Sequence, residues 1–489
     1  MTPRWDDEAD LVVIGYGAAG AATAIQASRL GGSVVVLEKQ AQDRHTPSTR
    51  MSGGMFMVAT DVERAATYLD ICAGGMVPRE ISRAWAERMM GLVDWFHSLG
   101  TGQAITYTGK CEHLDVDGAD AIEVWQPGTN PQKLAPGGGA GRALMAALEK
   151  AVAATPARVR YATPARRLIR EEGRVVGVLA DGPDGPVRVR AHKGVVLSPG
   201  GYEYDEETKL NYLRGYPMYF YGNPGNTGDG LRMAQEMGAG LWHMNQMIGR
   251  AIGNFPMPDG SDLSFIIFIG PPGYVITDQF GKRYAGEHIQ AGLLHGFYYS
   301  MLEYDNDTGT SPRNPSYWFF DETRRQAGPL TLTYLGACAV GLYEWSPDNS
   351  KEIENGWIAR GETIEDAARA AGHPAPEQAA AEVAEHNRRC AAGEADPLGR
   401  PAETMIGLTK GPFYCVKLVP GGSNTTGGPT RNAKGQILDV FGEPIPGLYG
   451  AGELGQPTGM RYPADGTNLS EAMCFGQIVA EQALGRETN

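Results

Sequence analysis

The chain has 489 residues, with 43 Lys+Arg against 57 Asp+Glu and a formal net charge of −14. That length holds two or three domains around a large core, and the acidic balance argues against a nucleic-acid partner or a basic membrane-binding face. Six cysteines (Cys72, Cys111, Cys338, Cys390, Cys415, Cys474) show no CxxC and no metal-ligand spacing, so they read as reduced thiols of a cytosolic protein. The polar N-terminus has no signal-peptide core, and no apolar run reaches the roughly 20 residues that span a bilayer, which predicts a cytoplasmic chain without a membrane span.

The apolar run Leu11 to Ile14 predicts a buried parallel strand that breaks at Gly15, with a small-residue helix starting near Ala18. Gly15, Gly17 and Gly20 fit a dinucleotide fingerprint: the first allows the tight turn, the second lets backbone approach a pyrophosphate, and the third lets helix pack on strand. The helix N-terminus, with Ala18 and Ala19, offers unpaired N–H groups to phosphates. A second strand, Ser33 to Leu37, ends in Glu38 and Lys39, at about the expected 20 residues on, where a carboxylate accepts hydrogen bonds from a ribose. This stretch leaves NAD and FAD both open.

A polar loop from Arg44 to Gly54 follows, rich in hydroxyls and backbone donors, with Ser48, Thr49, Ser52, Gly53 and Gly54 at the end of the sheet where ligands sit. His45 within it reads as solvated rather than as a covalent flavin link. Residues 60–135 read as helical and then irregular, ending in the glycine run 137–141. A helix from Arg142 to about Ala154 is followed by strands at 158–161 and 165–170, a hairpin of 175–180 with 187–191, and a buried strand at 194–197 closed by Gly200 and Gly201. The loop Gly222–Gly230, containing Thr227 and Asp229, leads into a helix near Leu231, and serves either as an anion-holding helix N-terminus or as a plain turn and cap.

Residues 240–410 lose the strand–helix rhythm and are dense in aromatics, which predicts an inserted second domain whose aromatics form mainly core. Two helices are expected near its end, one capped by Thr363 and stopped at Gly372, the other starting at Pro376. From Gly411 the pattern returns, with Gly450-Ala451-Gly452-Glu453 after a hairpin and a helix from Leu469 to Leu484. The expected architecture is α/β, with a discontinuous Rossmann-like domain (residues 1–235 and 411–489) around an α+β cap (residues 236–410).

Taken together, Gly15-x-Gly-x-x-Gly20, Glu38, Ser48 to Gly54, Gly200-Gly201, Thr227 to Gly230, Gly281 to Tyr284, Thr426 to Gly428, Gly450 to Glu453 and Gly466 to Leu469 resemble the fumarate reductase/succinate dehydrogenase flavoprotein family. The resemblance implies non-covalent FAD in an extended form, a mobile cap, and hydride transfer at a carbon near an activating carbonyl. It implies that Gly452 and Glu453 contact ribityl or pyrophosphate, and that the helix at Asn468 and Leu469 points its N-terminus at the flavin's pyrimidine edge. The dicarboxylate-binding arginine and histidine pair of fumarate-type members and their proton-delivering arginine are missing: the positions fall on Pro463, on Ser423-Asn424 and near Ala291, in that order. Tyr462-Pro463-Ala464-Asp465-Gly466 resembles ketosteroid dehydrogenases instead, which implies that the Tyr462 hydroxyl and Gly466 N–H hold a ketone oxygen. The base is left among His288, His295, Tyr298 and Tyr299, and Arg313 or Arg461 is available for a substrate carboxylate. The expected function is desaturation of a cyclic ketone, such as a 3-ketosteroid or an oxocyclohexanecarboxylate, with an external electron acceptor or oxygen. The alternatives are reduction of an enoate double bond and a non-catalytic flavin carrier or sensor.

Overall fold

The apolar runs at 11–14, 34–37 and 194–197 lack polar alternation, the mark of strands covered on both faces. In the computed structural model, which describes residues 4–128, 139–291 and 295–486, they lie in three adjacent parallel strands, Asp7–Ile14, Val34–Leu37 and Gly185–Leu197. Arg158–Arg160 extends the sheet beyond Val34–Leu37, and Pro444–Gly450 extends it beyond Gly185–Leu197, both in parallel. The register pairs Ile14 with Leu37 and with Leu197, and Leu197 with Gly450. Four chain segments distant in sequence therefore leave the sheet side by side: Gly15, Glu38, Ser198 and Ala451.

The helices Ala18–Arg29 and Thr467–Leu484 pack on each other. Gly476 permits this, because a Cβ there would lie 2.7 Å from the Ala19 carbonyl and 2.8 Å from Ala22 Cβ. Near their other ends Gln26 Nε2 donates to Glu481 at 2.8 Å. Contacts 19 with 476 and 26 with 481 mean that the two helices run parallel. The last helix begins nine residues before Gly476, whereas the first begins only a few residues before the level of Gly476, so the last helix's N-terminus lies roughly 10 Å beyond that of the first, at 1.5 Å per residue.

Two compact units divide the chain, one of Met1–Leu213, Gly222–Met247 and Asn424–Asn489, the other of Arg214–Tyr221 and Ile248–Ser423. The first contains the parallel sheet and both helices just described. In it the structure departs from the sequence expectation at four places. Residues 105–110 and 122–127 are not irregular: Phe56–Ala59, Ile122–Pro127 and Ile105–Lys110 form an antiparallel sheet. The expected loop at 44–54 contains a short helix, Ser48–Met51, set by Pro47 before it. The strands foreseen at 187–191 and 194–197 are one strand, Gly185–Leu197, because Gly194 continues extended under the Tyr449 ring. His45 is buried, not solvated: its ring stacks on Tyr16 at 5.3 Å, and Nδ1 meets Glu149 at 3.0 Å. Of the glycine run, 137 and 138 lie outside the described residues.

The second unit is built on a mixed sheet, in the order Asp262–Ile266, Met247–Pro256, Phe413–Thr425, Ser316–Asp321 and Val275–Thr277. Its aromatics are mainly core, as expected: Phe255, Phe265, Phe297, Trp318, Phe320, Tyr343, Trp345 and Trp357 form one buried cluster. The helix Ile364–Ala370 carries the full capping box of Thr363 and Asp366, and Pro376–Ala392 starts on its proline. All six cysteines are free thiols. Among the described residues no helix is long and apolar enough to cross a membrane.

Candidate active site

At the carboxyl edge of the parallel sheet the turn after Ile14 is set by two close approaches. Gly15 has φ +95°, and a Cβ there would fall 2.4 Å from the Ser198 carbonyl; a Cβ on Gly20 would fall 2.0 Å from the Gly15 carbonyl. Gly17 is different. Its Cβ would meet nothing closer than Thr49 Oγ1 at 3.4 Å, so protein packing does not demand a glycine there. The Ala18 N–H is held by Thr49 Oγ1 at 2.9 Å. Among the described residues the N–H groups of Gly17, Ala19 and Gly20 have no acceptor, although Ala19 and Gly20 are buried. Buried donors without acceptors at a helix N-terminus beside a glycine that leaves space suit a phosphate.

Around this turn the expected residues fall into three polar groups of the first unit. Glu38 is buried and accepts the Tyr16 N–H at 3.0 Å and the Gln40 N–H at 2.7 Å, which fixes its carboxylate beside the turn. Lys39 Nζ donates to Asp229 at 2.7 Å and to Thr227 Oγ1 at 3.0 Å, tying the second strand to the loop before Asp229–Glu236. Asn226 Nδ2 donates to Ser48 Oγ at 3.1 Å and to Glu453 Oε2 at 3.0 Å. Gly200 makes room for Asn226, since a Cβ would lie 2.5 Å from its Oδ1. Ser52 Oγ donates to the Thr49 carbonyl at 2.7 Å and accepts the Gly54 N–H; Gly53 lies between them, and a Cβ on Gly54 would strike Ala140.

Behind Gly201 lies a second buried carboxylate, which sequence reasoning missed. Glu203 is fully buried and accepts the Thr425 N–H at 2.6 Å and its hydroxyl at 2.8 Å. Burial, and after it the nearby Glu203, raises the Glu453 carboxyl well above the usual range, and burial raises Glu203 too. A protonated carboxyl here is a donor as well as an acceptor.

Arg431 was also missed, because it sits in a polar turn of the sequence. It is 2% exposed and donates to the carbonyls of Gly455 and Gly450, each at 2.8 Å, and of Gly452 at 3.3 Å. Its Nη2 lies 2.9 Å from Oε1 of Glu471, fully buried in the last helix. One guanidinium thus shapes the Gly450–Gly455 loop and joins it to the helix that begins at Thr467. Nothing local in the sequence marks this pair, which lies 40 positions apart.

The segment before that helix is held by its carbonyls. Tyr68 Oη donates to Pro463 O at 2.5 Å, the Glu112 N–H donates to the same oxygen at 3.1 Å, and His113 Nε2 donates to Tyr462 O at 3.1 Å. Tyr462 is buried at 7% exposure. Gly466 has φ +91°, and a Cβ there would lie 2.5 Å from the Met55 carbonyl carbon and from Phe56 N, so only glycine closes this turn. Among the described residues the N–H groups of Gly466, Asn468 and Leu469 have no acceptor.

The candidate bases belong to the second unit. The His295 ring accepts from Arg250 Nη2, and the Tyr298 ring covers Gly249, where a Cβ would fall 2.4 Å from it. Tyr298 and Tyr299 have ring centroids 4.2 Å apart. His288 is half-buried, with Nδ1 lacking a hydrogen-bond partner, and follows Glu287, which is locked to Arg283 at 2.7 Å. The side chain of Ala291 lies outside the described residues. Arg313 donates to the Ser300 carbonyl, pairs with Glu303 and lies over the Tyr284 ring at 4.7 Å, while the Arg461 side chain is exposed.

These donor sets fit FAD. The orphaned N–H groups at Gly17, Ala19 and Gly20 suit its pyrophosphate, Glu38 suits the ribose, and Asn468 and Leu469 at a parallel helix roughly 10 Å further on suit the flavin end. Gly17→Val tests the fit without any turnover. The apoprotein is expected to melt within a few degrees of wild type, because a Cβ at Gly17 meets Thr49 and Pro47 only at ordinary contact distance, while FAD affinity falls roughly 100-fold, as loss of the phosphate contacts implies. Gly20→Val is expected to lower the apoprotein melting temperature sharply. Equal FAD affinity in wild type and Gly17→Val would remove the pyrophosphate from this turn.

Comparison with known proteins agrees with this reading of the cofactor. A family model described as FAD binding domain matches residues 10–469. The 3-oxosteroid 1-dehydrogenase of Mycolicibacterium smegmatis is 26% identical, covering 97% of this chain and 96% of that protein. The 4-oxocyclohexanecarboxylate 2-dehydrogenase of Sinomonas cyclohexanicum is 27% identical, covering 99% and 94%. Among solved structures, the 3-ketosteroid Δ1-dehydrogenase of Sterolibacterium denitrificans, in complex with 1,4-androstadiene-3,17-dione, superposes with a TM-score of 0.81 at 21% identity, covering 98% of this chain and all of that one. The last likeness concerns the fold.

Proposed function

The chain belongs to the FAD binding domain family and is a flavin-dependent oxidoreductase, and on that premise we propose that it desaturates a cyclic ketone α,β to its carbonyl. The observation that carries this reading is the Tyr462–Gly466 segment. Its carbonyls are bound by Tyr68, Glu112 and His113, its glycine is obligatory, and the Gly466 N–H has no acceptor among the described residues. The two relatives just named, both dehydrogenases of ketones by their names, support it.

The chemistry needs negative charge to develop on the ketone oxygen as the α proton leaves. Two donors aimed at that oxygen, the Tyr462 hydroxyl and the Gly466 N–H, stabilise the enolate, each typically by a few kcal/mol. A side chain among His295, Tyr298 and His288 takes the α proton. His295 can do this only as the neutral imidazole with its one basic lone pair released from Arg250, which otherwise donates to it. Bound FAD supplies the acceptor for the hydride lost from the β carbon.

Anaerobic mixing of the oxidised holoenzyme with cyclic ketones tests the proposal. Bleaching of the flavin absorbance by a saturated ring ketone is the expected result. If no ketone bleaches it while fumarate rapidly reoxidises the reduced enzyme, the desaturase reading fails and enoate reduction replaces it.

A further inference from the structure

The strand Met247–Pro256 carries a buried arginine that, among the described residues, has no hydrogen-bonded carboxylate. Ala251 and Phe255 point into the aromatic core of the second unit, so by strand alternation Arg250 points to the opposite face. It is nevertheless only 5% exposed. Its backbone neighbourhood is rigid: fully buried Gln290 accepts the Ala251 N–H at 3.0 Å and donates to the Ala251 carbonyl at 3.1 Å. Among the described residues the guanidinium has one hydrogen-bond partner, the His295 ring, which takes Nη2; Nε and Nη1 are buried with none. Buried arginines are normally paired with carboxylates, and an unpaired guanidinium is expensive to bury. Arg283 in this unit obeys the rule with Glu287 and Asp396 at 2.7 and 2.6 Å, and Arg324, buried without a carboxylate, instead donates to the carbonyls of Gly328, Phe268 and Pro329.

We propose that Arg250 binds a carboxylate carried by the substrate, so that the preferred substrates are ring ketones bearing an acid group rather than neutral steroids. The two unpaired nitrogens, Nε and Nη1, each offer N–H donors to carboxylate oxygens. Of the two arginines that the sequence offered for this role, Arg313 is taken up by Glu303 and the Tyr284 ring and the Arg461 side chain is exposed. The assignment rests on the desaturase reading for the word substrate, but the anion site itself does not need turnover.

Two measurements separate these claims. Binding of cyclohexanecarboxylate and of cyclohexanecarboxamide to the oxidised holoenzyme is followed by perturbation of the flavin spectrum. Turnover of 4-oxocyclohexanecarboxylate is compared with that of its methyl ester. Wild type is expected to bind the acid roughly 100-fold more tightly than the amide, and to show a correspondingly lower KM for the keto acid than for the ester, as removal of one charge-assisted pair implies. Arg250→Met abolishes both preferences, and Arg250→Lys restores part of each. If Arg250→Met folds poorly, wild type and Arg250→Lys still decide the matter. Equal affinity of wild type for acid and amide overturns the proposal, as does an acid preference that survives in Arg250→Met. If the acid binds and depends on Arg250 but no ketone is oxidised, the anion site stands and the desaturase reading falls. If ketones are oxidised with no preference for the acid, the reverse holds.

Discussion

Tyr462→Phe is expected to lower kcat on a saturated ring ketone by roughly 10²- to 10³-fold, the loss typical of removing one donor to a developing oxyanion. KM should change little, since the ground-state carbonyl carries only partial charge and gains less from the hydroxyl. The substitution deletes one oxygen and leaves the ring in place, and His113 still holds the main-chain carbonyl. The folded state should accordingly keep its FAD and melt within a few degrees of wild type. A structural tyrosine would behave in the opposite way, with a lower melting temperature and a kcat close to normal. Unchanged kcat with unchanged stability would take Tyr462 out of the chemistry.

The second large effect is expected at Arg431. Arg431→Met removes three hydrogen bonds to the carbonyls of Gly450, Gly452 and Gly455 and leaves Glu471 buried without its cation. Breaking one side of a buried pair costs about 3–5 kcal/mol, so chemical denaturation of the apoprotein should show a loss of that order. FAD affinity should fall with it, because the loop carrying Glu453 loses its shape. The pair also imposes a pH dependence. Burial raises the Glu471 carboxyl to about 7 from its usual 4.5, against the pull of Arg431. Below about pH 4.5 the carboxyl is protonated whether the chain is folded or not. Between 4.5 and 7 the native state keeps a proton that the unfolded chain has released, so stability falls as pH rises through this window. Denaturation of wild type and Glu471→Gln at pH 5 and pH 8 isolates the effect. Wild type should lose about 2–3 kcal/mol more than the variant between the two. A pH-independent difference would mean that Glu471 is ionised throughout.

Much of the cofactor half is legible in one dimension because its signals are local. The turn at Gly15–Gly20 needs a strand, three glycines and a helix within 20 residues, and Glu38 stands where the next parallel strand must end. The small three-stranded sheet was less legible: Ile105–Lys110 is polar and half-exposed, and its pairing with Ile122–Pro127 depends on contacts that no periodicity announces. The same holds for His45, whose polarity suggests solvent until Tyr16, Tyr161 and Glu149 enclose it.

By itself the sequence determined the α/β class, the discontinuous cofactor domain, the dinucleotide turn and, through its resemblance to a flavoprotein family, FAD. Only the tertiary structure brought Gly15, Glu38, Ser198 and Ala451 to one edge, since parallel register is set by long-range pairing. It alone paired Arg431 with Glu471 and, among the described residues, left Arg250 without a hydrogen-bonded carboxylate. Charges on the surface are solvated wherever they fall in the sequence. A buried charge is defined by what surrounds it, and those surroundings come from segments that the chain brings together only on folding.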